Sequence, residues 1–494
     1  MPELTPPGAE PILVEHLRAI RAAEQASFHM PGHKGGAGAP PAGLDVLGAA
    51  AYAADVSELA GFDYLHGASS AIAIAQSRAA RLLGASRSWF LVNGATIANI
   101  AAIGAAVGDG ETILVARGSH RSVYAAIVLS GARPVYLPPL RNDRLDGLFG
   151  VETEEVEAAL ARNRQIHAIH VTSPSYYGFT GPIAEIAQIA AAQGVPLIVD
   201  EAHGTHFALH PAFPRPALAC GADVVVHSPH KTLGSLTQSS LLHHQGHLIE
   251  AARIDSLLQM LQSSSPSTLL LLSLDVALHD MALHGRERWS KALELAARAR
   301  MGLLERGIPG LSAYGDEIVG TPGISGIDPT KFVVDVHGRW ETGHAAARWL
   351  REHRRINPEF ADLRRLVFSI TPGDSPESVD FLLDALAALA AAGDEIVEES
   401  RIASLWPDEI PEMAMTPREG SGYASMQVAT ADAVGRIAAE MIVPYPPGIP
   451  LLVAGELISQ EVVESMAQLL EAGCRMVGIS DPSGATLRCC VDDW

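Results

Sequence analysis

"IAEIAQIAAAQGVPLIVDEAHG", Ile183 to Gly204, decides the fold. Its first half repeats apolar residues at helical spacing and closes on Gly194, a residue suited to ending a helix. Its second half, "VPLIVD" (Val195 to Asp200), is a short apolar run that predicts a buried strand. Working outward, strands are predicted at "TILVA" (Thr112 to Ala116), "RPVYL" (Arg133 to Leu137), "HAIHVTS" (His167 to Ser173) and "DVVVHS" (Asp223 to Ser228). Alanine-rich helical patterns separate them from about Ala85 to His244. Near-continuous apolar strands with helical crossovers imply an α/β fold whose mostly parallel central sheet is covered on both faces. In such sheets ligands sit beyond the carboxyl ends of the strands. Ser173, Asp200 and the turn from Ser228 to Lys231 are therefore expected on one rim.

A chain of 494 residues exceeds one ordinary core, so two or three domains are expected. With 48% hydrophobic and 18% charged residues it reads as a packed globular protein. The net charge of −21 repels phosphate backbones and anionic lipid, which argues against nucleic acid and membrane partners. The four cysteines, Cys220, Cys474, Cys489 and Cys490, show no CxxC spacing, and no leader pattern opens the sequence. A reducing cytoplasm is the expected compartment. "TLLLLSLDVAL" (Thr268 to Leu278) is too short to cross a bilayer and reads as a buried helix. After about Arg286 the pattern changes. The Gly- and Pro-rich stretch from Gly307 to Lys331 reads as a linker, followed by a strand "KFVVDV" and a helix near His344 to His353. "WPDEIPEMAMTPRE" (Trp406 to Glu419) marks a second boundary.

The rim carries the chemistry. "VVVHSPHKTLGS" (Val224 to Ser235) runs an apolar strand into Lys231, where loss of water would bring an amine down from about 10.4 and make it a nucleophile toward an aldehyde. A lysine that merely snorkels to the surface is the plainer reading. Asp200 ends another apolar strand, where a buried carboxylate needs a cationic or hydrogen-bonding partner. A protonated pyridine nitrogen, as in pyridoxal phosphate, would serve; a helix N-cap is the plainer role. "LVNGATIAN" (Leu91 to Asn99) is strand, small-residue turn and helix start, and the N–H groups of Gly94, Ala95 and Thr96 would seat a phosphate. His120, in "ARGSHRSVY", falls just past a further strand, placed to lie flat on an aromatic ring. Taken singly each residue has an ordinary explanation; together they describe a cofactor site.

Competing motifs fail. "VDEAH" also occurs at strand ends of helicases, but no GxxxxGK[ST] loop precedes it. The histidines around His203, His206, His210, His227 and His230 lack HExxH spacing, so no metal is expected. GxSxG is absent.

The segments "FHMPGHKGG" (Phe28 to Gly36), "DVSELAGFDYLH" (Asp55 to His66), "FLVNGAT", "GSHRS", "SPSYYG", "VDEAHG", "SPHKTLGSLTQ", "SSSPSTLLLLSLD" (Ser263 to Asp275) and "PYPPGIPLLVAGE" (Pro444 to Glu456) resemble, in the same order, the bacterial ornithine/lysine/arginine decarboxylases. The resemblance implies an aspartate-aminotransferase-like, fold type I pyridoxal phosphate enzyme that works as a homodimer or an oligomer of dimers. It implies three parts: residues 1–285 with the large cofactor-binding domain, 286–395 as a small α/β domain, and 396–494 as a C-terminal α+β domain. Lys231 would bind the cofactor aldehyde, Asp200 its ring nitrogen, and His120 and Ala202 its two faces, with His203 at the ring edge. Ala95, Thr96, Ser228 and His230 would hold the phosphate, helped by Ser264 of the neighbouring subunit. His33, Lys34 and Glu456 would lie near the substrate entrance. No N-terminal wing domain precedes "FHMPGHK", so the short biosynthetic branch is expected. "GASSAI" after "DYLH", Ala95 in place of a hydroxyl residue and Ala454 in place of a proline depart from the family pattern.

The expected reaction is α-decarboxylation of a basic amino acid: arginine to agmatine in polyamine synthesis, with lysine to cadaverine and ornithine to putrescine as alternatives. Another fold type I reaction, or a non-catalytic regulator, stays open from residues alone.

Overall fold

The computed structural model describes residues 10–23, 26–57, 63–138, 140, 145, 150–394, 407, 409–445 and 448–491. The chain gathers into two compact units, Met1–Ala106 with Pro196–Arg286 and Val107–Val195 with Glu287–Trp494. Their main strands in chain order are β1 (Arg87–Leu91), β2 (Thr112–Ala116), β3 (Arg133–Leu137), β4 (Ile166–Thr172), β5 (Leu197–Asp200), β6 (Val224–His227) and β7 (Ser240–His244).

In the first unit the strand order is β1-β7-β6-β5. β5 and β6 run parallel with Asp200 opposite Val226, while β7 runs antiparallel to both β6 and β1. Every residue of β5, β6 and β7 is buried. That burial explains why "LIVD" and "VVVH" are continuous apolar runs rather than alternating ones. The helix Gly94–Ala106 brings Ile97, Ala98, Ala101, Ala102 and Ile103 into the core. The greasy stretch at Thr268 begins a 38-residue helix, Thr268–Glu305. Leu271, Leu274 and Leu278 are buried there, and Asp275 accepts the Leu13 N–H at 2.8 Å, capping the N-terminal helix Ile12–Ala23. The division expected at residues 285 and 286 falls inside this continuous helix.

In the second unit β4, β2 and β3 lie side by side in that order, all parallel. The helix Ile183–Gln193 ends as expected at Gly194, whose φ of 68° suits a residue without a side chain. Further along, the four-stranded antiparallel sheet Phe360–Ala361, Arg365–Ser369, Lys331–Asp335 and Ser312–Ala313 packs Phe332, Val334, Leu366 and Phe368 against Leu350, Leu383 and Leu386. The C-terminal part has its own core of Ile442, Leu451, Leu452, Val462, Met466 and Leu487.

One expectation is corrected. Gly307 to Lys331 is not a bare linker: Ser312–Ala313 and Gly326–Ile327 are strands, and Ile318, Ile324 and Ile327 are buried beside Tyr177 and Phe179. Its glycines mark tight turns, with positive φ at Gly310, Gly320 and Gly323, and composition alone does not separate tight turns from slack chain. The boundary expected between residues 395 and 396, and Trp406, lie outside the described residues, as do residues 58–62 and 446–447 of the quoted segments.

Candidate active site

Two turns of the first unit carry the site. β6 ends at His227, and Pro229 opens the short helix Pro229–Thr232, as its fixed φ and missing N–H allow. Lys231 closes this turn with its own N–H on Ser228 O at 2.9 Å. Its Nζ lies 2.9 Å from His203 Nε2, on the turn that follows β5. An amine and an imidazole at this distance share a proton across one hydrogen bond.

Asp200 heads that second turn and is buried. Asn99 Nδ2 donates to its Oδ2 at 2.8 Å, and the Ala202 N–H donates to its Oδ1 at 3.1 Å. These donors aim the carboxylate without neutralising it. Asn99 was missed by the sequence reading. Its signal is a fully buried amide in the otherwise apolar helix "GATIANIAAIGAA".

Ser228 is also fully buried, and its Oγ has no hydrogen-bond partner among the described residues. A buried hydroxyl left unsatisfied is costly unless a ligand completes it. Gly94 takes φ 72° where the helix Gly94–Ala106 begins, with Ala95 and Thr96 in its first turn. His230 donates from Nδ1 to Ser239 O at 2.6 Å, and burial pushes its imidazole below the ordinary value, favouring the neutral form. Ala202 and His203 are buried, whereas Ser264 is exposed. A buried carboxylate at one strand end, an amine at the next, an unsatisfied hydroxyl and a helix start are the groups that pyridoxal phosphate requires, so these residues fit it.

Elsewhere in the first unit, His33 Nε2 lies 3.2 Å from Asp55 Oδ2, and the exposed Lys34 donates to His29 O. The segment "GASSAI" is anchored locally. Asp63 accepts five N–H groups, from Tyr64, Ser69, Ser70, Ile72 and Ala73, at 2.9 to 3.3 Å, and so caps the helix Ala71–Leu83. Burial would raise its carboxyl, but the backbone donors outweigh that and hold it below the ordinary value.

His120, Arg117 and Glu456 belong to the second unit. His120 caps the helix Arg121–Ser130, its Nδ1 accepting from the Ser122 N–H at 3.3 Å. Glu456, expected near the substrate entrance, is buried, 1% exposed. Arg117 donates to its two oxygens at 2.7 and 2.9 Å, and the Val453 N–H adds a third bond at 2.7 Å. Burial would lower the Arg117 guanidinium; Glu456 outweighs it and keeps the charge.

The sequence model of the "Orn/Lys/Arg decarboxylase, major domain" matches residues 11–378, and that of the family's C-terminal domain matches residues 402–479. The arginine decarboxylase of Halalkalibacterium halodurans is 38% identical over 93% of this chain and 94% of that protein. The arginine decarboxylase of Bacillus subtilis is 37% identical over 93% and 94%. The solved structure of lysine decarboxylase A from Pseudomonas aeruginosa superposes with a TM-score of 0.81 at 24% identity, covering 99% of this chain and 81% of that one, which bears on the fold alone. The chain belongs to the Orn/Lys/Arg decarboxylase family, with the fold type I architecture of pyridoxal phosphate enzymes.

Proposed function

We propose that this protein decarboxylates arginine at its α-carbon, releasing carbon dioxide and agmatine. The observation that carries the chemistry is the Lys231 amine 2.9 Å from His203, on a turn beside the one bearing buried Asp200. The choice of arginine follows two relatives similar over nearly full length, both named arginine decarboxylases.

Pyridoxal 5'-phosphate, when bound, supplies an aldehyde that holds the substrate amine and a ring that accepts the electron pair left behind by carbon dioxide. Lys231 would hold that aldehyde through Nζ. Asp200, kept in place by Asn99 and the Ala202 N–H, holds a proton on the ring nitrogen. Ser228 Oγ, His230 and the N–H groups of Ala95 and Thr96 would hold the phosphate, Ala95 through its backbone alone; the Gly94 N–H, expected to join them, donates instead to Gln238 O at 2.8 Å. Ala202 would lie beside the ring, and the family resemblance assigns His120 to it as well. Once carbon dioxide has left, Lys231 Nζ or His203 Nε2 would deliver a proton to the carbon that carried it. We place the protein in the cytoplasm as a homodimer or an oligomer of dimers, with Ser264 completing the neighbour's site and His33 and Lys34 near the substrate. The exposed Phe28, Met30 and Val46, at 95%, 72% and 80%, suit a covered face. We divide the chain at residues 285 and 395; the separate match to the C-terminal domain supports the second division. Among the described residues, no helix is long and apolar enough to cross a membrane.

Purified protein given arginine, lysine and ornithine side by side should form agmatine from arginine fastest. Faster cadaverine or putrescine formation would reassign the substrate, and a keto acid in place of an amine would overturn decarboxylation.

A further inference from the structure

Glu201 and His227 are buried, at 3% and 1% exposed, and neither holds the cofactor or the substrate in the proposed reaction. Glu201 lies between Asp200 and His203, and His227 directly precedes Ser228. At the end of the β5–β6 ladder the Glu201 N–H donates to Val226 O at 3.0 Å, and both strands end within a residue of that rung. There Glu201 Oε2 meets His227 Nε2 at 2.8 Å, while the Ala217 N–H donates to Oε1 at 3.0 Å. The His227 ring packs edge-on to His243, 4.7 Å between centroids, and His243 Nδ1 lies 2.6 Å from Ser88 Oγ. The pair therefore stands on a fixed floor.

From this geometry we infer that the Glu201–His227 hydrogen bond is a positioning staple, which holds the Asp200–His203 turn in register with the Ser228–Lys231 turn. The same two turns are joined a second time by Lys231 and His203, but that bridge must open whenever Lys231 changes partner. The buried bridge has no such duty and keeps the turns aligned throughout. Burial pushes the Glu201 carboxyl well up and the His227 imidazole down to about 3, both shifts favouring the uncharged forms, in which a carboxyl O–H can donate to Nε2. A glutamine amide has the same donor and acceptor arrangement: its carbonyl can accept from the Ala217 N–H and its NH₂ can donate to His227.

The inference rests on Lys231 and Asp200 holding pyridoxal phosphate, and wild-type protein that binds none would defeat that assignment first. Given wild-type binding, the test compares Glu201→Leu with Glu201→Gln in the full-length holoenzyme. Three readouts serve: the cofactor dissociation constant from its visible absorbance, the pH at which that absorbance titrates, and the borohydride-fixed adduct on Lys231. Glu201→Leu should bind the cofactor about tenfold more weakly, with a shifted absorbance titration and less adduct, as expected for a lost buried hydrogen bond. Glu201→Gln should restore all three to within about twofold of wild type. A glutamine variant as impaired as the leucine variant, or a leucine variant with wild-type binding and titration, overturns the staple. If Glu201→Leu does not fold, Glu201→Asp, polar but too short to span the gap, takes its place: weakened binding that the glutamine variant restores supports the staple, and wild-type binding and titration overturn it.

Discussion

Lys231 and Arg117 each follow the carboxyl end of a parallel strand, β6 and β2, yet their surroundings differ in kind. Arg117 is saturated: two bonds to Glu456, a third to Leu451 O at 3.3 Å, and the Tyr136 ring 4.8 Å from its guanidinium. A buried ion pair completed in this way is architecture. Around Lys231 at least one buried polar group is unfinished. Its neighbour His203 is an imidazole, Ser228 Oγ has no partner among the described residues, and Asp200 receives donors without a countercharge. A ligand can add something only to the second kind of place. Buried charge by itself does not mark a site; incomplete satisfaction with convergent polar groups does.

The contrast breaks most sharply at the lysine. Lys231→Ala should lower decarboxylation on the order of 10⁴-fold or more and abolish the borohydride-fixed adduct, with little change in the melting temperature of cofactor-free protein. Retained turnover would end the assignment. Arg117→Met should do the reverse, costing about 3–5 kcal/mol in urea unfolding because Glu456 is left buried and unpaired. Replacing both partners by apolar residues should recover most of that loss, and an unchanged urea midpoint in Arg117→Met would show the pair is not architectural. Asp200→Asn is expected to keep the fold and some cofactor while slowing turnover about 10²- to 10³-fold, read by steady-state kinetics. An unchanged rate would mean that another group holds the ring proton.

The smallest effect concerns a structural carboxylate of the first unit. Asp63→Asn should cost about 1 kcal/mol at neutral pH, because its oxygens cap a helix start. The folded-state value of Asp63 lies below its ordinary 3.8, so its contribution is present above that value and is lost as pH falls through the folded one. Melting temperatures taken from neutral to about pH 3 should show wild type and variant converging at the acid end. Parallel curves would show that the charge on Asp63 does not stabilise the helix.

Much of this was legible locally. "TILVA" and "RPVYL" are β2 and β3 residue for residue, and "VPLIVD" and "DVVVHS" contain β5 and β6. Apolar periodicity and β-branching act over a few residues, so a reading of a few residues finds them. Lys231 and Asp200 stand out as candidates for the same reason, as charged residues at or just past the ends of strongly apolar strands. Asn99 escaped because its partner Asp200 is 101 residues away, and the pairing of Glu456 with Arg117 escaped because 339 residues separate them.

The sequence by itself determined the elements, the class of fold and which side chains stand at strand ends, since these follow from local sterics and from the cost of burying apolar and polar groups in order along a chain. Only the tertiary structure decided which buried polar groups complete one another: Arg117 with Glu456, Asn99 with Asp200, Glu201 with His227. Hydrogen bonds and ion pairs are satisfied across space between residues that no local pattern connects. The same residue types thus became a closed knot around Arg117 and a candidate site around Lys231.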